Sequence, residues 1–382
     1  METEWIPCKA GENGFGPEQR AGIARAAELL RRGELVGMPT ETVYGLAANA
    51  LDADAVADIF RAKGRPQDNP LIVHVASAEW LPRFVQEVPP EAERLMEAFW
   101  PGPLTIIMKK KPVIPDIVSA GLPTAAFRCP SHPVAHALLE AADIPLAAPS
   151  ANISGRPSPT RAEHVLHDLG GKIAAILDGG SCGVGLESTV VTVGNGGARI
   201  LRPGGVTPEQ LRLVLAHVEV DRAVLHQLEA GVRAASPGMK YKHYAPKAAV
   251  TIVRGTLPEV ARYVDARKGP DVAVLCFEGE EEAFSAPCVT YGTAGDAETQ
   301  AHALFDALRA LDRTGASTVY ARCPEQEGVG LAVYNRLLRA AGFSVADAGG
   351  GGGPVNNARH AGGGGGPVNN ARRAGGGERS DG

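Results

Sequence analysis

The 382-residue sequence lacks the features that mark several large classes of protein. Its six cysteines are scattered, with no CxxC pair and no zinc-ligand spacing, so neither a disulfide scaffold nor a zinc site is expected. There is no basic start followed by an apolar run, as in a signal peptide, and no apolar run approaches the ~20 residues of a membrane span. The net charge of −5 argues against a globally basic nucleic-acid binder. We therefore expect a cytoplasmic, soluble protein with reduced thiols.

What the chain has is ample apolar material, since 44% of its residues are hydrophobic. Segments typical of strands and helices alternate up to about residue 220 and again over 248–346, which predicts α/β units in both stretches. No glycine fingerprint follows the first strand of the second unit, so dinucleotide binding is not expected there. Residues 221–247 have the composition of a linker. Residues 347–382 contain the string GGGGGPVNNAR twice and are predicted to be disordered.

One group of polar and cationic side chains lies in the loop PTET (39–42) and in the turn KGRP, which carries Lys63 and Arg65. A guanidinium fork and an ammonium point charge on either side of a glycine suit a site that binds phosphate. His74 follows in an apolar strand, where an unpaired imidazole would be costly to bury. Taken alone, the stretch is equally consistent with a surface loop whose charges are solvated.

A second group lies in PLAAPSANISGRPSPT, where an apolar strand runs into a loop that holds Ser150, Asn152 and Ser158. Small hydroxyls and an amide at a strand end can bind a polar ligand, and the prolines lower the cost of ordering the loop. The alternative is a proline-rich turn that caps the next helix. The T-x-x-E box of Thr160 and Glu163 is predicted to provide that cap, which leaves the earlier side chains for a ligand.

Three arginines lie at the ends of predicted elements, each near a proline: Arg65, Arg128 and Arg202. Any one of them could be a solvated charge at a strand end. Three in the same setting favour a local anion-binding site, which the negative net charge does not contradict.

Together the motifs PTETVYGL, KGRPQDNPLIVHV, WPGPLT, AAPSAN, ESTVV, LRPG and MKYKHYAP resemble those of the threonylcarbamoyl-AMP synthase family in its long form, over about residues 17–346. The resemblance implies an α/β fold: a YrdC-like twisted mixed sheet with helical cover in a catalytic domain over 1–220, and a smaller Rossmann-like domain over 248–346. The linker 221–247 would close over the active site. The implied reaction converts ATP, L-threonine and bicarbonate (or CO2) to threonylcarbamoyl-adenylate and pyrophosphate. A separate transferase then modifies the adenosine next to the anticodon of tRNA.

The resemblance also assigns residues, motif by motif. The catalytic tetrad around the nucleotide phosphates matches Lys63, Arg65, Ser150 and Asn152. The ATP-binding positions match Arg65, Asn69, Thr124, Ser150, Ser158, Arg202 and, in the linker, His243 or Tyr244. The threonine-binding positions match Thr42, His74, Arg128, Ser188 and, through its backbone, Ala148. Mg²⁺ is expected to arrive with ATP and to be held mainly by ATP and water, with no protein metal site; Glu41 is suggested as an outer-shell partner.

Three other functions agree less well with the sequence. A double-stranded RNA or tRNA-binding module could use a groove of the same cations, but the net charge and the lack of basic–aromatic interleaving outside the linker oppose it. Weak tRNA binding remains open as a secondary property. YrdC-type carbamoyltransferases of hydrogenase maturation carry zinc-binding cysteine pairs, which this sequence lacks. A purely structural scaffold would not need polar clusters at so many strand ends.

Overall fold

The computed structural model describes residues 2–11, 14–227, 243–349 and 355–356. Over these ranges the chain forms two β-sheets with helices packed against them. The mixed α/β fold class predicted from the sequence is therefore confirmed. No helix in the described ranges is both long and apolar enough to cross a membrane.

The first sheet is mixed, with the strand order β1-β8-β2-β3-β7-β4-β6-β5-β9-β10-β11. Its strands are β1 (Glu4–Pro7), β2 (Val36–Met38), β3 (Gly45–Asn49), β4 (Ile72–His74), β5 (Leu104–Lys109), β6 (Thr124–Arg128), β7 (Leu146–Ala147), β8 (Ala175–Asp178), β9 (Thr189–Gly194), β10 (Gly197–Arg202) and β11 (His217–Val220). Parallel pairs such as β4 with β6 alternate with antiparallel pairs such as β2 with β3.

Helices cover this sheet: α1 (Pro17–Arg31), α2 (Ala53–Lys63), α3 (Pro90–Phe99), α4 (Asp116–Ser119), α5 (Pro133–Ala142), α6 (Ala162–Leu169) and α7 (Pro208–Val214). Short 3-10 helices occur at Ala78–Arg83 and Arg222–Val224. The stretch 77–99 thus holds two helical segments, a 3-10 helix and α3, with Pro89 between them.

Local sequence signals explain where α2 begins and ends. The side chain of Asp52 accepts hydrogen bonds from the backbone N–H groups of Asp54 and Ala55, which caps the helix. At the other end Gly64 has a φ of 59°, a left-handed conformation that glycine adopts without strain. The stop at Gly64 leaves Lys63 as the last helical residue and turns the chain towards the site.

The cap predicted for α6 is wrong. The helix begins at Ala162, and the hydroxyl of Thr160 donates instead to Asp306 of the second sheet's helical layer at 2.7 Å. Arg161 occupies the N-cap position, so Thr160 lies one residue too early to cap the helix. By contrast, the T-x-x-Q spacing of Thr207 and Gln210 predicts a capping box for α7, and the structure has it.

The second sheet has the order β14-β13-β15-β12-β16-β17. Its strands are β12 (Ala249–Arg254), β13 (Val272–Cys276), β14 (Cys288–Thr290), β15 (Thr318–Arg322), β16 (Ser344–Asp347) and β17 (Val355–Asn356). Its helices are α8 (Leu257–Asp265), α9 (Ala297–Leu311) and α10 (Gly330–Ala340), with a 3-10 helix at Glu281–Ala283. All of its strand pairs are parallel except β16 with β17.

Two parts of the predicted tail have regular structure. Residue 347 closes β16, and 355–356 forms β17 antiparallel to it, so the prediction of disorder from 347 onwards is wrong at these positions. The rest of the tail beyond 349, and the predicted linker over 228–242, lie outside the described residues.

The two sheets share a packed interface. Val43 and Leu186 of the first unit belong to the same apolar cluster as Phe305 of α9. Beside it Arg309 of α9 pairs with Asp168 of α6 at 2.9 Å, and the Asp168 side chain is fully buried. This interface places α9 and α10 next to the loops described below.

Candidate active site

A cavity lies where the loops after β2, α2 and β7 meet the ends of β4, β6 and β10. The predicted site residues that line it are Thr42, Lys63, Arg65, His74, Arg128, Ala148, Ser150, Asn152, Ser188, Arg202, His243 and Tyr244. These side chains come from eight segments spread over residues 42–244. The fold thus brings both predicted polar clusters and all three arginines to one place.

Three predicted residues do not line the cavity, but each is linked to a residue that does. The Ser158 hydroxyl donates to Glu187, which does line it. The carbonyl of Asn69 accepts from Arg65 at 3.3 Å. Thr124 opens β6, the strand that ends at the lining residue Arg128, and is paired with Lys109 of β5.

Lys63 fastens the end of α2 to the loop after β7. Its Nζ donates to the carbonyls of Ser150 and Asn152, each at 2.5 Å, and its own carbonyl accepts from the backbone N–H of Ser154 at 2.9 Å. Burial, and then the nearby charge of Arg65, hold the Lys63 pKa well below its usual value. An anionic ligand bound next to Lys63 would favour the protonated form of its amine and so raise this pKa.

The Asn152 amide gives that loop its shape. Its Nδ2 donates to the carbonyls of Ile153 and Arg156 at 2.8 and 2.9 Å, and its Oδ1 accepts from the Ser150 hydroxyl at 2.6 Å. One side chain thus satisfies three polar groups of a proline-rich segment. The Ser150 hydroxyl is held at the cavity surface by this network.

Arg128 is held from three directions. Its Nη1 donates to the Thr42 hydroxyl at 2.9 Å, its Nε donates to the carbonyl of Gly102 at 3.4 Å, and its Nη2 lies 2.6 Å from the carboxylate of Glu41. Burial acts to raise the Glu41 pKa, but the charge and hydrogen bonds of Arg128 outweigh it and the pKa is lowered. Glu41, suggested from the sequence as an outer-shell magnesium partner, is the counter-charge of Arg128 in this structure.

His74 lies opposite Arg128 in the β4–β6 register. It is buried, and its Nδ1 has no hydrogen-bond partner within the described part of the chain. Burial, and then the positive charge of Arg128, lower its pKa to about 3, so the imidazole is neutral. A neutral ring with an unused nitrogen at a cavity wall can exchange a hydrogen bond with a polar ligand.

Ser188 and Arg202 form the opposite wall. Arg202 donates to the carbonyl and to the hydroxyl of Ser188 at 3.0 and 3.1 Å, and Thr105 shares a 2.7 Å hydrogen bond with the same hydroxyl. Burial lowers the Arg202 pKa to about 10, which still leaves it cationic at neutral pH. The cavity therefore has cations on both walls and suits an anionic ligand.

Comparison with known proteins identifies the family. A family model described as "Telomere recombination", for Sua5, YciO and YrdC proteins, matches residues 28–204. A second, described as "Threonylcarbamoyl-AMP synthase, C-terminal domain", matches residues 206–342. A Bacillus subtilis protein named "Threonylcarbamoyl-AMP synthase" is 47% identical over 327 residues, which are 85% of this chain and 94% of that protein. The chain belongs to the threonylcarbamoyl-AMP synthase family.

Its membership of the long form predicted from the sequence is also confirmed. A solved structure of Pyrococcus abyssi Sua5 complexed with L-threonine matches with a TM-score of 0.82 and 42% identity, over 90% of this chain and 99% of that one. A Mycobacterium tuberculosis (strain ATCC 25618 / H37Rv) protein named "Putative threonylcarbamoyl-AMP synthase" is 41% identical over 210 residues, which are 95% of its length but 55% of this chain. Proteins with this name therefore occur in a long and a short form.

One residue that lines this cavity, Glu187, was not among those predicted from the sequence. Its Oε2 accepts from Nε of Arg336 in α10 at 2.6 Å. Glu187 stands in the motif ESTVV, so its polarity at a strand start was a visible signal. Its partner lies 149 residues further along the chain, where no local pattern points to it.

The donor set of this synthase-family cavity does not fit a resident divalent cation. In the described ranges, no group of three His, Cys, Asp or Glu side chains could hold a metal ion. Glu187, which lines the cavity, and Glu41, which contacts the lining residue Arg128, are each paired with an arginine. A cation brought by a substrate would have to rely on that substrate's own oxygens and on water.

Proposed function

We propose that the chain is an L-threonylcarbamoyladenylate synthase, a nucleotidyltransferase that forms threonylcarbamoyl-adenylate and pyrophosphate from ATP, L-threonine and bicarbonate or CO2. The observation that carries the proposal is the convergence of Lys63, Arg65, Arg128 and Arg202 with small hydroxyls on one buried cavity. The names of the relatives and the threonine complex of the P. abyssi protein support the substrates. The product would supply a separate transferase that makes threonylcarbamoyl-adenosine next to the anticodon in tRNA.

The chemistry explains why the cavity needs cations. The amine of threonine takes up CO2 to give a carbamate, and a carbamate oxygen attacks the α-phosphorus of ATP as pyrophosphate leaves. Two anions must approach each other, so neutralising charge and fixing geometry are the main requirements. No protein nucleophile is needed. Burial raises the pKa of the nearby thiols of Cys129 and Cys182 to about 12, which disfavours their thiolates.

We assign the threonine to the part of the cavity formed by Thr42, His74, Arg128, Ala148 and Ser188. Arg128 can bind a carboxylate in a bidentate manner if the threonine carboxylate replaces the Thr42 hydroxyl as its acceptor. Since the imidazole of His74 is neutral, it can accept a hydrogen bond from the substrate without adding a further positive charge.

We assign the nucleotide to the neighbouring part of the cavity. Its contacts would come from Arg65, Asn69, Thr124, Ser150, Ser158, Arg202, His243 and Tyr244, with Lys63 and Asn152 completing the tetrad around the phosphates. Mg²⁺ would enter as part of the ATP complex, because the two carboxylates at and next to the cavity are already committed to arginines. Asn69, Ser158 and Thr124 would act from the edge of the cavity, where small shifts of the wall bring them to a ligand.

The segment at His243 and Tyr244 would act as a gate. The cavity has a water-accessible volume of about 60 Å³, well under the roughly 300 Å³ at which ligand pockets begin, so part of its wall must move for ATP to enter. Tyr244 has a φ of 64°, is buried, and stacks on Phe305 at 5.1 Å. A non-glycine residue in the left-handed region stores strain that an alternative conformation can release.

The test is pyrophosphate release from ATP, with and without L-threonine and bicarbonate, in the wild type and in Lys63→Ala. We expect release that requires both co-substrates and is lost in the variant. Lys110→Ala is the matched control, because Lys110 is also buried and donates to a carbonyl, that of Ile114, at 2.7 Å but does not line the cavity. Release that is indifferent to threonine, or absent in the presence of tight RNA binding, would favour the RNA-binding alternative.

A further inference from the structure

One buried ion pair holds the cavity wall that faces the second sheet. Arg336 of α10 has no exposed surface, and it donates to both the carboxylate and the backbone carbonyl of Glu187, at 2.6 and 3.4 Å. Glu187 is itself buried and lines the cavity. The guanidinium therefore fixes both the side chain and the main chain of a cavity residue from the other structural unit.

Glu187 in turn connects two loops. Its Oε1 accepts a hydrogen bond from the hydroxyl of Ser158, in the loop after β7. The next residue, Ser188, belongs to the opposite wall and is bound by Arg202. The carboxylate thus sets the distance between a loop that we assign to the nucleotide and a strand start that we assign to threonine.

The guanidinium is fixed by its other neighbours. Its Nη1 donates to the amide oxygen of Asn335 at 2.8 Å, and Asn335 donates to the carbonyl of Val224 at 2.6 Å. The ring of Tyr244 lies 5.7 Å from the guanidinium carbon, within the range of a cation–π contact. Because elements of both units hold Arg336, it cannot shift without disturbing the interface.

We propose that Arg336 is a positioning residue for the synthase reaction: by binding Glu187 it holds the Ser158 and Ser188 segments at the separation that both substrates require. The inference rests on the proposed function. It makes the second unit part of the active site in the long form. The short M. tuberculosis relative matches 55% of this chain over 95% of its own length.

The charges around Glu187 give the proposal a measurable signature. The charged and titratable groups that face it are Arg202, Arg336, Tyr244 and His243. Burial acts to raise the pKa of Glu187, but the charges of Arg336 and Arg202 and its hydrogen bonds keep the pKa below its usual value. When Arg336 is removed, one of the charges that oppose the effect of burial is lost, so the pKa of Glu187 should rise. Arg336→Gln should therefore lose stability, relative to the wild type, as the pH rises through the raised pKa of Glu187.

The experiment compares the full-length wild type, Arg336→Gln, Arg336→Lys and Arg322→Gln in the pyrophosphate assay. Arg322→Gln is the matched control, since it removes a mostly buried guanidinium that pairs with Glu280 inside the second unit, but leaves the counter-charge of Glu187 in place. We expect Arg336→Gln to raise the KM for both ATP and threonine by about 10- to 100-fold, with a smaller change in kcat. Arg336→Lys keeps the charge without the fork and should recover part of the loss.

Two results would overturn the inference: unchanged KM values in folded Arg336→Gln, or equal rises in Arg336→Gln and Arg322→Gln. If Arg336→Gln does not fold, the double variant Glu187→Gln/Arg336→Gln replaces it, because removing both charges relieves the buried carboxylate. In the double variant the unfolding temperature should not fall, relative to the wild type, as the pH rises, and yet the KM values should stay raised. Wild-type KM values in the double variant would also refute the inference. An inactive wild type would instead refute the proposed function.

Discussion

Replacing Glu41 by glutamine tests how Arg128 is held in the cavity. The two side chains have nearly the same shape, so packing is retained while the negative charge 2.6 Å from Nη2 of Arg128 is lost. Arg128 is only 4% exposed. In Glu41→Gln its described partners would be neutral: the Thr42 hydroxyl and the carbonyl of Gly102.

The size of the effect follows from the burial of the pair. Removing one partner of a buried ion pair costs about 3–5 kcal/mol, because the remaining charge is left without compensation. The Glu41 side chain is 13% exposed, and a glutamine oxygen in its place can still accept a hydrogen bond from Arg128. Both facts reduce the cost of the substitution. We therefore expect Glu41→Gln to lower the free energy of unfolding by about 2–3 kcal/mol at neutral pH.

The pH dependence has a defined sign. The Glu41 pKa is lowered in the folded state from its usual 4.5. Its contribution to stability is thus fully present above about pH 4.5 and is lost as the pH falls through the folded-state pKa. The difference between wild type and Glu41→Gln should be constant from pH 8 to pH 5 and should shrink below pH 4.5.

The assay is urea unfolding followed by circular dichroism, together with the KM for threonine, which should rise because Arg128 is less well oriented. Glu219→Gln is the control, since Glu219 forms an exposed pair with Arg199, and such pairs contribute little. Equal unfolding midpoints for the wild type and Glu41→Gln at pH 7.5, with the same threonine KM, would refute the account of Arg128.

Three further predictions concern the interface and the buried thiols. Tyr244→Ala should lower the free energy of unfolding by about 3 kcal/mol through its lost packing on Phe305 and should raise the KM for ATP; unchanged ATP turnover would contradict the gate. Thr160→Val should cost about 1 kcal/mol in urea unfolding through the lost bond to Asp306 while leaving the helix content unchanged; a loss of helix would show that Thr160 caps α6 after all. Burial raises the pKa of Cys182 to about 12, so mass spectrometry should find it alkylated by iodoacetamide at pH 8 only after unfolding, and fast labelling of the native chain would show the thiol to be accessible.

The sequence predicted what depends on local pattern. Polar residues at the ends of elements were expected to meet, and the cavity contains Lys63 from the end of α2, Ser150 from the loop after β7 and Arg202 from the end of β10. The cap formed by Thr207 and Gln210 was found because both partners lie within one turn of helix. These features need no knowledge of how distant segments pack.

The failures share one physical cause, which is a strong partner far away in sequence. Thr160 was expected to cap the next helix but binds Asp306, 146 residues further along. Glu41 was suggested as a magnesium partner, and Arg128, 87 positions later, holds it instead. Glu187 was overlooked because Arg336 reaches it only through the interface between the two sheets. Buried charges choose partners by three-dimensional proximity, which periodicity along the chain does not encode.

The interface also limits how this protein can be shortened. A fragment ending near residue 227 would resemble the short relatives in length, yet it would carry two carboxylates, Asp168 and Glu187, whose arginine partners Arg309 and Arg336 had been removed. It would also expose the apolar surface around Val43 and Leu186. We expect such a fragment to aggregate unless those acidic residues are replaced as well. Conversion between the two lengths therefore requires coordinated substitutions, and the two units must be inherited or redesigned together.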